Sequence, residues 1–331
     1  MKRRDFLMYA AGSLAATTLG GCRDSAPRSG SASLPAAEPV TLDAAAFRAA
    51  RRYTPLRYGR VVHVERGEGP AALFIHGYPL NGYQWRGALE RLAPYRRCIT
   101  PDLLGLGYTE TPETQDLSPS AQTEMLAALL DALGIDAVDI VANDSGGAIA
   151  QLFLVRYPQR VRTVLLTNCD VHENSPPEKL RPSIERARQG TYADERLLPQ
   201  LRDPDYARGP NGIGGGAYTD PANFTDEAIE YYFAPLLSSP LRKAQVNQYA
   251  VAFDPNPLIA IEPHLRRSTA PVRMVWGTGD HLFPVSWAEW LDRALPEARG
   301  IRLVEGAKLF FPEEMPDLIA EEARLLWQAT S

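Results

Sequence analysis

A sharp turn between a strand and a helix holds the residues best suited to do chemistry. An apolar strand pattern over residues 137–143 runs directly into Asp144-Ser145-Gly146-Gly147, and an apolar helical pattern follows over residues 148–157. A turn this tight needs small residues around its apex, and it lifts the apex side chain above the sheet edge beside free helix N–H groups. The pattern therefore predicts a nucleophile at the apex of the turn.

Two neighbouring residues compete for that apex. If the apex is Asp144, the residue two positions earlier is Ala142, and the residues two and three positions later are both glycines. If the apex is Ser145, the earlier position is held by Asn143, which is larger than the turn prefers. The spacing favours Asp144 as a covalent nucleophile and leaves Ser145 as the alternative, the serine of a carboxylic ester hydrolase.

The elements around this turn alternate between strands and helices. Seven β-rich runs separated by helical patterns indicate a mostly parallel sheet with helices on both faces. The strand pattern stops after Asp170, and a segment interrupted by proline and glycine follows up to residue 268. We interpret residues 171–268 as a helical cap inserted into an α/β core formed by residues 47–170 and 269–331. Within the cap, the glycine tract at residues 211–216 predicts a loop. The predicted strands are residues 60–65, 71–76, 96–101, 137–143, 162–168, 272–276 and 301–305.

The first residues have the pattern of an export signal. Three basic residues precede an uncharged, mostly apolar run, and the run ends at Leu19-Gly20-Gly21-Cys22. The paired arginines resemble a Tat signal, and the end of the run resembles a bacterial lipobox in which Cys22 becomes lipidated. Residues 1–21 are thus a predicted signal peptide and residues 22–46 a predicted flexible tether. We expect an exported protein on the periplasmic side, anchored to a membrane through Cys22.

Composition excludes several classes of function. The 331 residues are 45 % hydrophobic, which suffices for a large core, and the net charge of −5 argues against nucleic acid as a partner. No cysteine and histidine spacing typical of zinc and no glycine-rich phosphate loop occurs, so we expect neither a metal nor a cofactor. A small molecule is the expected partner, and no protein partner is predicted.

Two further motifs support a family resemblance. His76-Gly77-Tyr78-Pro79 follows one predicted strand and Asp102-Leu-Leu-Gly-Leu-Gly107 follows the next. Together with the aspartate elbow, they resemble the α/β-hydrolase superfamily, within it the haloalkane dehalogenase and epoxide hydrolase branch. The resemblance covers roughly residues 53–327. It implies an α/β-hydrolase fold and attack by Asp144 on a small, largely apolar substrate, with the N–H groups of Tyr78 and Ser145 as the oxyanion hole.

The resemblance also implies an acid that orients a catalytic histidine. Asp280, after the predicted strand at residues 272–276, matches the usual position of this acid, and Asp170 matches an alternative position. The pattern would place the histidine where the chain has Lys308, and no histidine follows His281. The usual general base is therefore absent from its usual place.

Three explanations for the missing histidine stay open. Another histidine, His172 or His281, acts as the base. Alternatively, Lys308 is a desolvated base or pairs with Asp144 or Asp280. Finally, the chain is a non-catalytic ligand-binding homologue that completes no turnover.

The residues expected to bind the leaving group also differ from those of haloalkane dehalogenases. Haloalkane dehalogenases usually have a tryptophan directly after the nucleophile and many have an asparagine in the oxyanion loop, whereas this chain has Ser145 and Tyr78 there. Epoxide opening needs a proton donor for the alkoxide instead, and a pair of cap tyrosines would suit that role. The cap tyrosines considered are Tyr192, Tyr206, Tyr218, Tyr231, Tyr232 and Tyr249.

Overall fold

The computed structural model describes residues 42–328, which form an eight-stranded sheet covered by helices. The strands lie in the order β1-β2-β4-β3-β5-β6-β7-β8; β2 pairs antiparallel with β1 and β4, and all other pairs are parallel. The fold is thus the α/β-hydrolase fold that the resemblance implies. The strands are β1 Arg51–Leu56, β2 Gly59–Arg66, β3 Ala71–Ile75, β4 Arg97–Pro101, β5 Val138–Asp144, β6 Val161–Cys169, β7 Val272–Gly277 and β8 Ala298–Val304.

Fourteen α-helices are found among the described residues. They are α1 Ala44–Ala49, α2 Arg86–Leu92, α3 Pro119–Ala132, α4 Ser145–Arg156, α5 Arg181–Arg188, α6 Leu198–Arg202, α7 Pro204–Arg208, α8 Ile213–Ala217, α9 Asp226–Leu237, α10 Pro240–Val251, α11 Glu262–Leu265, α12 Val285–Ala294, α13 Phe311–Glu314 and α14 Pro316–Gln328.

The central strands are apolar because both sheet faces are covered. Every residue of β3 and of β5 is buried, which is why these strands read as continuous apolar runs in the sequence. Helix α3 begins where Ser118 accepts a hydrogen bond from the N–H of Ala121, and it ends before Gly134, which has a φ of +66°. All seven predicted strands are confirmed, with bounds that shift by three residues at most.

The edge strand β1 was not predicted. Its sequence, Arg-Arg-Tyr-Thr-Pro-Leu, is half-buried at most, so it lacks the apolar run or clean alternation that marks a strand. Before it, α1 occupies residues placed in the predicted tether, which therefore does not extend to residue 46. Phe47 is buried against Tyr83 with ring centroids 5.2 Å apart, and Glu227 accepts a hydrogen bond from the N–H of Ala44 at 3.0 Å.

The segment between β6 and β7 forms the cap. Its described residues contain helices α5–α11 and no strand, only an isolated bridge between Val171 and Asn174. Two glutamates of α13 fasten the cap to the core. Glu313 binds Arg86 at 2.5 Å and accepts from Tyr218 at 2.6 Å, while Glu314 accepts from the N–H of Thr219 at 2.8 Å.

The glycine tract of the cap is not the loop that its composition predicts. Residues 213–217 form helix α8. A Cβ atom on Gly212 would lie 2.1 Å from the carbonyl oxygen of Ala207, and one on Gly215 would lie 2.2 Å from that of Gly209. These glycines allow α8 to pack directly against the backbone around α7, so the prediction of a loop was wrong.

Residues 1–41 and 329–331 are outside the described part of the chain. The predicted signal peptide at residues 1–21, Cys22 and the tether before residue 42 therefore have no structural account here. Over residues 42–328, no helix is both long and apolar enough to cross a membrane.

Candidate active site

The turn after β5 has the strained backbone of a nucleophile elbow. Asp144 has a φ of 55° and a ψ of −132°, a conformation that costs about 1–3 kcal/mol for a residue with a side chain. Ser145 is already the first residue of α4. The apex of the turn is therefore Asp144, as the spacing of small residues predicted.

The loop after β3 lies against the carboxylate of Asp144. The N–H of Tyr78 donates to Oδ2 of Asp144 at 2.8 Å. A Cβ atom on Gly77 would lie 2.5 Å from the same oxygen, so only glycine permits this approach. His76 braces the loop: its Nε2 accepts from the N–H of Leu103 at 3.0 Å and its Nδ1 contacts the carbonyl oxygen of Gly77 at 2.9 Å. These bonds agree with a structural role for His76.

Burial and charge oppose ionisation of Asp144. Desolvation, followed by the negative charge of Asp170, raises the pKa of Asp144 well above its usual range, while the N–H groups of Tyr78 and Ser145 act in the opposite direction. Both donors that were predicted for the oxyanion hole thus point at this carboxyl group. The same two N–H groups are available to an oxyanion that forms on its carbonyl carbon.

A cavity of about 140 Å³ lies between the elbow and the cap. A site needs roughly 10–15 Å³ to hold one water, so the cavity has room for a small molecule together with water. Asp144 and Asp170 are the acidic side chains of its wall, and no lysine, arginine, histidine or tryptophan of the described chain lines it. The other lining residues are Tyr78, Pro79, Ser145, Pro176, Leu180, Ser183, Ile184, Tyr192, Ile213, Ala217, Tyr249, Ala250, Phe253, Leu282, Leu309 and Phe310.

Three tyrosines gather above Asp144. The ring of Tyr78 stacks on Tyr249 with centroids 5.3 Å apart and lies 5.8 Å from Tyr192. The hydroxyl of Tyr249 is 3.1 Å from Oγ of Ser145. Burial raises the pKa of Tyr192 to about 12 and raises that of Tyr249 as well, so both phenols keep their protons at neutral pH.

The remaining cap tyrosines make other contacts. Tyr218 and Tyr232 donate to Glu313 at 2.6 and 3.0 Å. Tyr231 stacks on Tyr83 and accepts from Arg51, and Tyr206 lies near Arg196. Only two of the six tyrosines considered, Tyr192 and Tyr249, therefore line the cavity.

Asp170 reaches the cavity from the end of β6. Cys169 is the register partner of Asp144 between β6 and β5, so Asp170 follows directly beside the elbow. Asp170 is 3 % exposed, and its Oδ1 makes no hydrogen bond of good geometry, although the Ser175 side chain lies close enough to the carboxyl group to lower its pKa. Burial raises the pKa of Asp170 to about 7.

Asp280 is buried behind the cavity wall rather than in it. Its Oδ2 accepts from the amide of Asn168 at 2.9 Å, and its Oδ1 accepts from the N–H of Leu282 at 2.8 Å. Burial raises the pKa of Asp280 to about 6. An asparagine amide is therefore the partner of this carboxylate where the resemblance implies an imidazole. Of the two predicted acid positions, Asp170 is the one that lines the cavity.

Lys308 faces the cap instead of the elbow. Its Nζ donates to the carbonyl oxygen of Gly215 at 2.8 Å, and within the described chain it forms no ion pair with Asp144 or Asp280. The ion pair considered from the sequence is thus not formed, because the loop after β8 turns Lys308 towards α8. The same loop directs Leu309 and Phe310 into the cavity. The sequence did not identify Phe310 as a cavity residue. Its phenyl side chain cannot accept a proton.

The two candidate histidines also lie away from the cavity wall. Nε2 of His172 is 2.9 Å from Glu262, and its ring stacks on Trp290 with centroids 4.5 Å apart. His281 is exposed to solvent. The structure thus brings together Asp144, Tyr78 and Ser145, adds Asp170, and leaves both histidines, Asp280 and Lys308 outside the cavity wall.

Asn143 connects the loops that form the site. Its Oδ1 accepts from Nε2 of Gln84 at 2.7 Å, while Oε1 of Gln84 accepts from the N–H of Gly77 at 3.0 Å. On its other side, Nδ2 of Asn143 donates to the carbonyl oxygen of Leu309 at 3.0 Å. The residue that fits poorly beside a serine apex therefore ties the elbow to both neighbouring loops.

No group of three or more histidine, cysteine, aspartate or glutamate side chains in the described chain is arranged to hold a metal ion. The wall of the cavity places aromatic and aliphatic side chains around the carboxyl groups of Asp144 and Asp170. A carboxyl group in such an apolar pocket is suited to attack an electrophilic carbon.

Comparisons with known proteins show the family to which the chain belongs. The chain matches the alpha/beta hydrolase fold family model over residues 70–314. It is 29 % identical over 290 residues to a haloalkane dehalogenase of Mesorhizobium japonicum, covering 81 % of this chain and 88 % of that protein. It is 25 % identical over 292 residues to epoxide hydrolase 1 of Caenorhabditis elegans, covering 82 % and 69 %. A solved alpha/beta hydrolase fold protein from Burkholderia ambifaria superposes with a TM-score of 0.71 at 22 % identity, covering 82 % and 96 %.

Proposed function

The chain belongs to the alpha/beta hydrolase fold family and is a hydrolase. We propose that its substrates are small, largely apolar epoxides, which it hydrolyses to diols. Asp144 is the nucleophile, and Tyr192 and Tyr249 are the proton donors. The observation that carries the proposal is that both phenols line the cavity that Asp144 faces. One of its relatives, from Caenorhabditis elegans, is an epoxide hydrolase.

Ring opening requires a carboxylate and an acid on opposite sides of the epoxide. A carboxylate oxygen of Asp144 forms a bond to one ring carbon, and the bond from that carbon to the epoxide oxygen breaks. The alkoxide that forms takes a proton from a cap phenol, because burial keeps Tyr192 and Tyr249 protonated until so strong a base appears. The product of this step is an ester of Asp144 and a phenolate.

Water then releases the diol from the ester. Its oxygen adds to the carboxyl carbon of Asp144, and the N–H groups of Tyr78 and Ser145 stabilise the oxyanion. Collapse of this intermediate breaks the bond between the carboxyl carbon and the diol oxygen. The proton left on Asp144 returns to the phenolate, so the net reaction consumes one water and restores every side chain.

The polar groups of the cavity favour an epoxide over an organic halide. A departing halide needs N–H donors such as an indole, and no tryptophan of the described chain lines the cavity. Phenol hydroxyls, in contrast, are suited to protonate an alkoxide.

The proposal is tested with the purified full-length protein and two epoxides, styrene oxide and 1,2-epoxyhexane. We expect diol formation by the wild type, and a loss of at least about 100-fold in ring opening for Asp144→Asn and for the Tyr192→Phe, Tyr249→Phe double variant. Asp131→Asn, which removes an exposed carboxylate of α3, is the matched control. Unchanged epoxide consumption by Asp144→Asn would contradict the proposal.

A fluorophosphonate separates this mechanism from a serine hydrolase. The reagent labels an activated serine and leaves a carboxylate untouched. We expect no labelling of Ser145, because its Oγ lies beside a phenol and no imidazole of the described chain lines the cavity. Stoichiometric labelling of Ser145, together with loss of ester hydrolysis in Ser145→Ala, would replace Asp144 by Ser145 as the nucleophile.

A further inference from the structure

The phenolate left by ring opening takes the proton that remains on Asp144 at the end, so the proton that water loses during attack needs a second acceptor. Water must lose a proton as it attacks the ester of Asp144. The loop after β8 presents Phe310 to the cavity, and Lys308 donates to the cap at Gly215. His172 is engaged with Glu262, and His281 is in solvent. None of these side chains can take the proton where the ester forms.

Asp170 is a proton acceptor at the right place. It lines the same cavity as Asp144 and follows Cys169, whose register partner is Asp144. Its Oδ1 is buried and makes no hydrogen bond of good geometry, and the nearby Ser175 side chain does not offset the effect of burial on the pKa of the carboxyl group. A buried carboxylate with so few hydrogen bonds is costly to the fold, as is expected of a group that has a role other than stability.

The backbone of Asp170 is held in place. Nε2 of Gln151, on α4, donates to the carbonyl oxygen of Asp170 at 2.8 Å and to that of Gly147 at 3.0 Å. The helix that begins at the elbow therefore also fixes the end of β6. This connection sets the position of the Asp170 carboxyl group relative to the nucleophile.

We propose that Asp170 is the general base that activates water for hydrolysis of the Asp144 ester. This inference rests on the proposed function. A carboxylate oxygen of Asp170 takes one proton as the water oxygen bonds to the carboxyl carbon of Asp144. When the intermediate collapses, the departing alkoxide takes that proton back, and Asp170 is again a carboxylate.

The surroundings of Asp170 suit proton exchange near neutral pH. Burial raises its pKa to about 7, so carboxylate and acid are both populated there. The titratable groups around it are Asp144 on the elbow, the Cys169 thiol on β6, the Tyr249 phenol on α10 and, beyond Asn168, Asp280.

The experiment follows the Asp144 ester by intact-protein mass and peptide mapping after mixing with styrene oxide. We expect the wild type to release diol without a lasting adduct. Asp170→Asn should open the ring and then keep the adduct, with hydrolysis slowed by at least about 100-fold. In single-turnover measurements, hydrolysis by the wild type should rise through pH 7, and this dependence should be lost in Asp170→Asn.

Further variants exclude a merely structural effect. Formate is expected to restore part of the hydrolysis in Asp170→Asn, since it supplies a small carboxylate, and Asp170→Glu should retain more hydrolysis than Asp170→Asn. Asp131→Asn should behave as the wild type. Hydrolysis of the adduct by Asp170→Asn at the wild-type rate, or a lasting adduct on the wild type itself, would overturn the role of Asp170 while leaving Asp144 as the nucleophile. Absence of ring opening by the wild type would overturn both proposals.

Discussion

Phe310 and Lys308 are two residues apart but have different surroundings, and this decides where a new base could act. Phe310 faces the cavity, whereas Lys308 bonds to the cap at Gly215. In an Asp170→Asn background, we expect Phe310→His to speed loss of the Asp144 adduct by about tenfold or more, because it introduces an imidazole beside the ester. Lys308→His should have no effect. Adduct lifetimes from intact mass measure both, and a faster loss with Lys308→His alone would refute this assignment of the two positions.

The raised pKa of Asp170 also predicts how folding stability depends on pH. Its pKa is about 7 in the native state and near its ordinary value, about 4, in the unfolded chain. Between these values the native state holds a proton that the unfolded state has lost, so the free energy of unfolding falls as the pH rises from 4 to 7.

Asp170→Asn removes this loss of stability. The variant should match the wild type at pH 4 and exceed it by roughly 2–4 kcal/mol at pH 8. Urea unfolding at the two pH values measures the difference. A variant that is less stable than the wild type at pH 8 would show that ionised Asp170 does not destabilise the native state.

The sequence was sufficient to find the apex of the turn, Asp144, but not its surroundings. Asp144 stands in a run of strand, small residues and helix, a pattern that backbone sterics require at a sharp turn. Phe310 has no such local signal, and the resemblance offered Asp170 only as one of two acid positions. Which side chain of a loop faces a cavity depends on contacts made far away in the chain. The tie between Asn143 and Leu309, which are 166 residues apart, is one such contact.

Helix α8 shows that a glycine tract can serve packing rather than motion, and two adjacent glycines test this. A Cβ atom on Gly215 would meet the carbonyl oxygen of Gly209, whereas nothing lies within 4 Å of one on Gly216. We expect Gly216→Ala to stabilise the protein by about 0.4–1 kcal/mol, because alanine reduces the entropy of the unfolded chain. Gly215→Ala should destabilise it. Thermal unfolding of the two variants measures both changes in stability. Equal changes for Gly215→Ala and Gly216→Ala would mean that α8 does not pack against the α7 backbone.

The fully buried strands were predicted closely, whereas the exposed edge strand β1 was missed. Strands β3 and β5 are covered on both faces and read as continuous apolar runs. The edge strand β1 carries arginines and a proline, which are suited to the edge of a sheet. Because of these residues, no pattern of hydrophobicity marks the strand in the sequence. The glycine content of residues 211–216 predicted a loop where α8 forms, because composition does not show that these glycines approach the backbone of another segment.

For the whole molecule, we propose export and anchoring through Cys22. This proposal rests on the signal pattern of residues 1–22, in which paired arginines, an apolar run and a lipobox follow one another. In a bacterial host, the mature protein should begin at Cys22, carry lipid and sediment with membranes, and Cys22→Ser should lose the lipid. Mass spectrometry of the N-terminal peptide after fractionation measures this. A mature protein that retains residues 1–21 would contradict the proposal.

The acidic character of the cavity wall narrows the chemistry worth screening. Two aspartates line the cavity without a lysine, arginine or histidine of the described chain in its wall, and the chain as a whole carries a net charge of −5. An anion would have to leave water and approach these two carboxyl groups without any positive side chain to balance its charge. Compound libraries can therefore leave out carboxylates, sulfates and phosphates, and amine-bearing epoxides become sensible leads for inhibitors that report on the site.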